Sequence, residues 1–126
     1  MPKRPVVAVI DDNLGILGAM GRALSGYGYE TELYASPEEF LNEVTTTGAI
    51  GLIVDIELGS TSGIELARQL TNRGIKFPII FMTGHDNAEV RKHARQTGCV
   101  EFLVKPFDTG ELLRAIAKLQ PASASG

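Results

Sequence analysis

A single cysteine, Cys99, rules out any internal disulfide and fits a reducing cytoplasm. No apolar run approaches the length needed to span a bilayer. The basic start, 1–5, is followed by an apolar stretch too short for a signal peptide, and that stretch meets two aspartates. Basic clusters are scarce: beyond Lys3 and Arg4 there is only the segment 91–95, and the net charge is −3. Direct nucleic-acid binding by this domain is therefore not expected. There is no internal repeat and no sign of a second domain. What remains is 126 residues, 44% hydrophobic and 21% charged, enough for one globular domain with a real core.

The organising stretch is 51–55, a short apolar run ending on Asp55. Such a run reads as a buried parallel strand whose last residue sits at the carboxyl edge of a sheet, where open α/β sheets bind ligands. Three other apolar runs end in the same way. Residues 6–10 lead to Asp11 and Asp12, residues 78–82 to Thr83, and residues 102–104 to Lys105.

Taken in order, strands are expected at 5–10, 29–34, 51–55, 76–82 and 100–104. Helices are expected at 14–25, 36–44, 63–72, 88–96 and 109–119. Asp12 or Asn13 can cap the first helix, Ser36 the second, Asp86 or Asn87 the fourth, and Asp108 or Thr109 the fifth. In the first helix Leu14, Leu17, Met20 and Leu24 share one face. Gly15, Gly18 and Gly21 in the same helix signal either close approach of a neighbouring element or a smooth docking face. Residues 29–34 alternate as an edge strand would, with Tyr29, Thr31 and Leu33 on one face. The fourth helix has a thin apolar stripe and should be loosely held. The small polar tail, 121–126, reads as mobile. Five strands alternating with five helices predict an α/β domain, doubly wound around a parallel sheet.

Three acids at adjacent strand ends repel one another unless a hard cation intervenes, and Mg²⁺ is bound by one or two carboxylates together with waters and phosphate oxygens. Each residue has an ordinary reading when taken alone: a helix cap for Asp11 and Asp12, a loop aspartate for Asp55, a surface lysine for Lys105, a strand-end cap for Thr83. Together, carboxylates, a metal, a lysine and a hydroxyl on one rim meet the needs of phosphoryl transfer, with Asp55 as nucleophile. The bond from Lys105 to Pro106 is a candidate for the cis form.

Asp11-Asp12, Asp55, Gly63, Thr83 and Lys105-Pro106-Phe107 occur in order across 5–120, and the chain resembles a receiver domain of two-component response regulators. The segment 81–85 resembles the nitrogen-fixation regulator branch, whose receivers often control DNA-binding output domains. The resemblance implies a flavodoxin-like sheet of order 2-1-3-4-5. It implies a receiver domain over 1–120 followed by a tail or linker at 121–126.

It further implies that Asp55 accepts a phosphoryl group from a histidine kinase in the cytoplasm. Asp11, Asp12, Asp55 and the backbone carbonyl of Glu57 would hold Mg²⁺, and Thr83 and Lys105 would contact the phosphoryl oxygens. Phe102 would be the switch aromatic, and the surface of the fourth helix, fifth strand and fifth helix would change to control a partner or output domain, or to form a phosphorylation-dependent homodimer. Such a domain is a phosphoacceptor switch that catalyses its own phosphorylation and dephosphorylation; it is not a turnover enzyme.

Three positions depart from the family pattern. Gly59 replaces a common proline, which suggests a more flexible loop. Glu57 stands where a side chain can tune metal affinity or the lifetime of the phosphoaspartate, and His85 where one can affect that lifetime. A phosphatase of the haloacid dehalogenase type would need a second aspartate at the position of Glu57. A flavin module would need a phosphate-cradling loop where Asp11-Asp12-Asn13 stands. A stand-alone regulator and a receiver taken from a longer protein both fit the tail.

Overall fold

The computed structural model describes residues 4–59 and 61–119; the 121–126 tail and its expected mobility lie outside the described residues. Five strands alternate with five helices: β1 (Val6–Ile10), α1 (Leu14–Gly26), β2 (Glu30–Tyr34), α2 (Pro37–Asn42), β3 (Ala49–Asp55), α3 (Gly63–Asn72), β4 (Ile79–Thr83), α4 (Ala88–Gln96), β5 (Glu101–Val104) and α5 (Thr109–Ala117). All pairings are parallel, and the sheet order is β2-β1-β3-β4-β5. The predicted fold class and strand order are those observed.

Because both sheet faces are covered, the strands carry unbroken apolar runs whose alternate residues enter different cores. Ala8, Ile10, Leu52, Val54, Ile79 and Phe81 point to the side of α2, α3 and α4, where Phe40, Leu66 and Leu70 pack. Val7, Val9, Ile53, Ile80 and Met82 point to the side of α1 and α5, against Leu24, Leu112 and Ile116.

The caps resolve the alternatives left by the sequence. Asn13 caps α1 and Asn87 caps α4, accepting from the N–H groups of Ile16 and Val90. Ser36, Ser62 and Asp108 cap α2, α3 and α5, the last with a reciprocal bond to Glu111. Asp12 and Asp86 are thereby released for other contacts.

Several expectations need correction. Leu14 does not join the buried face of α1 and is 71% exposed, because it sits at the first helical turn beyond the sheet edge. Only Gly21 serves a close approach: a Cβ there would lie 3.3 Å from Leu33 and 3.5 Å from Thr31, so β2 runs close to the helix. Leu33 is nevertheless 41% exposed, since the small residue opposite covers little of it. Its neighbour Tyr34 faces the other core and meets Phe40 edge to face at 5.4 Å. β4 begins at Ile79 rather than at residue 76; Pro78 has no N–H, though its carbonyl accepts from Leu52. Among the described residues, α4 buries only Ala94 fully, in line with its thin stripe. No described helix is long and apolar enough to cross a membrane.

Candidate functional site: an acidic pocket at the carboxyl edge of the sheet

Parallel pairing carries the ends of β1, β3, β4 and β5 to one edge. Asp11 follows β1 and is fully buried; Asp55 is the last residue of β3 and 5% exposed. Asp12 stands beside them, exposed to solvent. One carboxylate oxygen from each of Asp11, Asp12 and Asp55 lies within 4.8 Å of the others. An all-oxygen set of this size and charge suits a hard divalent cation.

Every carboxylate is held. Asp11 accepts from the Asn13 N–H at 2.9 Å, Asp55 from the Glu57 N–H at 2.8 Å, and Asp12 from the Gly59 N–H at 3.2 Å. The last bond requires a residue other than proline at position 59, since proline has no N–H to donate. This bond joins the loop after β3 to the acidic pair at Gly59.

Lys105, just past β5, places its Nζ 2.8 Å from Asp55 Oδ2 and 3.1 Å from Asp11 Oδ2. The peptide bond between Lys105 and Pro106 is cis. Burial works against the ammonium, yet the carboxylates of Asp55 and Asp11 outweigh it and raise the lysine pKa. Burial pushes the Asp55 carboxyl up; Lys105 and the Glu57 N–H pull it back only part of the way, and Asp11 adds to the rise. One ammonium against three carboxylates leaves the pocket short of positive charge, so the residues present fit a divalent cation.

Gly63 permits the close approach of α3 to the end of β3. A Cβ there would fall 2.4 Å from the Asp55 carbonyl oxygen and 2.8 Å from Val54 Cγ1, so only glycine lets α3 start this close to β3.

Thr83 closes β4 and is fully buried. Its hydroxyl donates to Glu57 Oε2 at 2.5 Å and accepts from the His85 N–H at 2.9 Å. The Gly84 N–H donates to Glu57 Oε1 at 3.0 Å. Burial pushes the Glu57 carboxyl up, but the bonds from Thr83, Gly84 and His85 more than offset this and leave it below the usual range. The His85 ring is 79% exposed, with Nδ1 3.6 Å from Glu57 Oε1.

Phe102 lies on β5, half-buried against the α2–α3–α4 core and away from the acids. The Arg91 guanidinium sits over its ring, 4.8 Å from the centroid, and is clamped by both oxygens of Asp86 at 2.6 and 3.0 Å. Of the residues singled out in the sequence, Asp11, Asp12, Asp55 and Lys105 converge directly, and Thr83, Glu57 and His85 form an adjoining cluster. The Glu57–Thr83 bond, the Gly59–Asp12 bond and the stack of Arg91 on Phe102 carried no sequence signal, because each joins residues brought together only by the fold.

Comparison with known proteins gives the same picture. The model of the response regulator receiver domain matches residues 7–117. The response regulator protein TodT of Pseudomonas putida is 35% identical over 95% of this chain and 54% of its own length. The DNA-binding transcriptional regulator NtrC of Klebsiella pneumoniae is 32% identical over 94% of this chain and 26% of its own length. The transcriptional regulatory protein FixJ of Azorhizobium caulinodans is 29% identical over 92% and 55%. This chain therefore spans about half the length, or less, of these curated relatives. The crystal structure of FixJ-N superposes with a TM-score of 0.85 at 27% identity, covering 94% of each chain. A CheY-like receiver domain protein from Methanospirillum hungatei gives 0.86 at 26% identity, covering 98% of this chain and 99% of the other. With the pocket, the sheet order and the family match in agreement, the chain belongs to the response regulator receiver domain family, the phosphorylation-dependent switch of two-component signalling.

Proposed function

We propose that Asp55 is the phosphoacceptor of this receiver. An Asp55 oxygen attacks the phosphorus of a phosphohistidine on a sensor kinase; the P–N bond breaks and its electron pair returns to the imidazole. The observation that carries this reading is the placement of Lys105 between Asp55 and Asp11, 2.8 and 3.1 Å away, with Asp12 alongside. An ammonium already at the nucleophile can follow the charge onto the phosphoryl oxygens as the new bond forms.

Asp11, Asp12, Asp55 and the backbone carbonyl of Glu57 are the proposed Mg²⁺ ligands. The ion, when bound, supplies the positive charge that lets a phosphoryl group approach the acids. Thr83 then donates to a phosphoryl oxygen and Phe102 turns inward. The surface of α4, β5 and α5 changes, controlling a protein partner, an output domain or a second copy of the receiver. Glu57 and His85, at the rim, modulate the lifetime of the phosphoaspartate.

We assign the receiver unit to 1–120, place it in the cytoplasm, and read it as catalysing only its own phosphorylation and dephosphorylation. Its net charge of −3 favours protein partners over nucleic acid for this unit.

The test is intact mass after incubation with a small phosphodonor and Mg²⁺, for wild type and Asp55→Asn. One added phosphoryl group, lost in the variant and lost with EDTA, is the expected result. An adduct that persists in Asp55→Asn would move the acceptor elsewhere.

A further inference from the structure

In the function proposed above, the Thr83 hydroxyl donates to the phosphoryl group carried by Asp55. That hydroxyl is already committed: it donates to Glu57 Oε2 at 2.5 Å. A threonine has one hydroxyl proton, so it cannot serve Glu57 and a phosphoryl oxygen at once. Nor can the proton be shared sideways, because the remaining contact of the oxygen, from the His85 N–H at 2.9 Å, is one in which it accepts.

The same carboxylate also holds the first residue beyond β4. Its other oxygen takes the Gly84 N–H at 3.0 Å. Glu57 is anchored in turn at the phosphoacceptor, where its own N–H donates to Asp55 Oδ1 at 2.8 Å. One residue therefore links the end of β3 to the junction between β4 and α4. That junction leads directly to Asn87, the cap of α4, a helix of which only Ala94 is fully buried.

We infer that Glu57 is a positioning residue that competes with the phosphoryl group for the Thr83 hydroxyl and the Gly84 N–H, and so holds the β4–α4 junction in its resting arrangement until phosphorylation displaces it. The inference rests on Asp55 as phosphoacceptor. A phosphoryl group close enough to take the Thr83 hydroxyl comes within reach of the carboxylate that now holds it. Like charges at that range repel. The Glu57 side chain is 38% exposed, so it can be discharged into water instead of into the core. Displacement frees Thr83 and Gly84 in one event and leaves α4 with little to resist a shift. A residue without a carboxylate at this position would impose no such threshold.

The test is a titration with beryllofluoride, a phosphoryl mimic, at saturating Mg²⁺, followed through the backbone amide resonance of Gly84. Wild type, Glu57→Ala, Thr83→Ala and the double variant form a cycle. Glu57→Ala is expected to bind the mimic about tenfold more tightly, because no bond has to be given up first. Its Gly84 resonance, before any mimic is added, is expected to lie displaced toward the position that wild type reaches on saturation. In the Thr83→Ala background there is no hydroxyl to free and only the Gly84 N–H is still contested, so the gain from Glu57→Ala is expected to shrink to about a third of its wild-type value. An equal gain in both backgrounds would mean that charge repulsion alone is at work and would overturn the competition. Binding by wild type with no gain in Glu57→Ala would overturn it as well, while leaving Asp55 as acceptor intact. Failure of all four proteins to bind would remove the phosphoacceptor assignment, and the inference with it.

Discussion

Lys105 and Asp55, fifty residues apart in sequence, meet at 2.8 Å at the carboxyl edge of the sheet, and the same ammonium reaches Asp11 at 3.1 Å. The pair is the electrostatic keystone of the pocket. Without the lysine, two buried carboxylates would face each other with no cation between them.

Lys105→Ala is accordingly expected to cost about 1–3 kcal/mol in urea unfolding measured without metal, because it leaves buried acids unpaired. Adding Mg²⁺ should narrow the gap to wild type, since a cation would then supply the missing charge. An unchanged midpoint in metal-free buffer would show that the acids do not depend on Lys105.

Gly63→Ala tests the close approach behind Asp55. The added Cβ would meet the Asp55 carbonyl oxygen at 2.4 Å and Val54 Cγ1 at 2.8 Å, so α3 has to back away from β3. A loss of about 2–3 kcal/mol is expected from overpacking, read from the urea midpoint at constant slope. Wild-type stability in this variant would mean that the helix start can shift freely.

Arg91→Ala addresses the ring of Phe102. The guanidinium covers one face of that ring and is itself fixed by Asp86. Removing it should move the Phe102 ring resonances and increase ring motion in aromatic ¹³C relaxation, with the acidic pocket undisturbed. Identical Phe102 spectra in the two proteins would show that Arg91 does not restrain the Phe102 ring.

Tyr34, whose backbone carbonyl accepts from the Asp11 N–H at 3.1 Å, provides a pH handle through its phenol. Burial, the bond from its hydroxyl to Glu32 at 2.8 Å and the charges of Glu32 and Glu43 push the phenol up to about 12. Its folded pKa thus lies above the unfolded value of about 10, so folding favours the neutral phenol. The stability this confers is fully present below pH ~10 and is lost as pH rises toward ~12. Tyr34→Phe should therefore flatten the fall in stability across that window. An ultraviolet titration of wild type should show a late tyrosine step, absent from the variant. If the variant keeps the late step, the perturbed phenol is not Tyr34.

Much of this protein was legible before folding was considered. The unbroken apolar runs ending at Asp55, Thr83 and Lys105 and before Asp11 predict buried parallel strands, and strands of that kind deliver their last residues to one edge. The cap at Ser36 was equally readable, because a cap is a local bond between residues three apart, and for α5 the choice was narrowed to Asp108 or Thr109. Gly63 was legible only as a motif residue; the reason for it, contact with the Asp55 carbonyl, needed the packed structure.

Other features were decided by tertiary structure alone. Periodicity assigned Leu14 to the core, but whether a helical face is covered depends on where its neighbours end, and Leu14 lies beyond them. Asp12 and Asn13 were equal candidates for the same cap; Asn13 took it, and Asp12 turned to the pocket and the Gly59 N–H. Glu57 was visible as an acid near the site, yet nothing along the chain says that its carboxylate crosses to Thr83, 26 residues on. Local chemistry and the alternation of strands with helices are set by patterns within a few residues. The choice of partner for a side chain that can reach several acceptors or donors is set by which strand end and which loop the sheet places beside it.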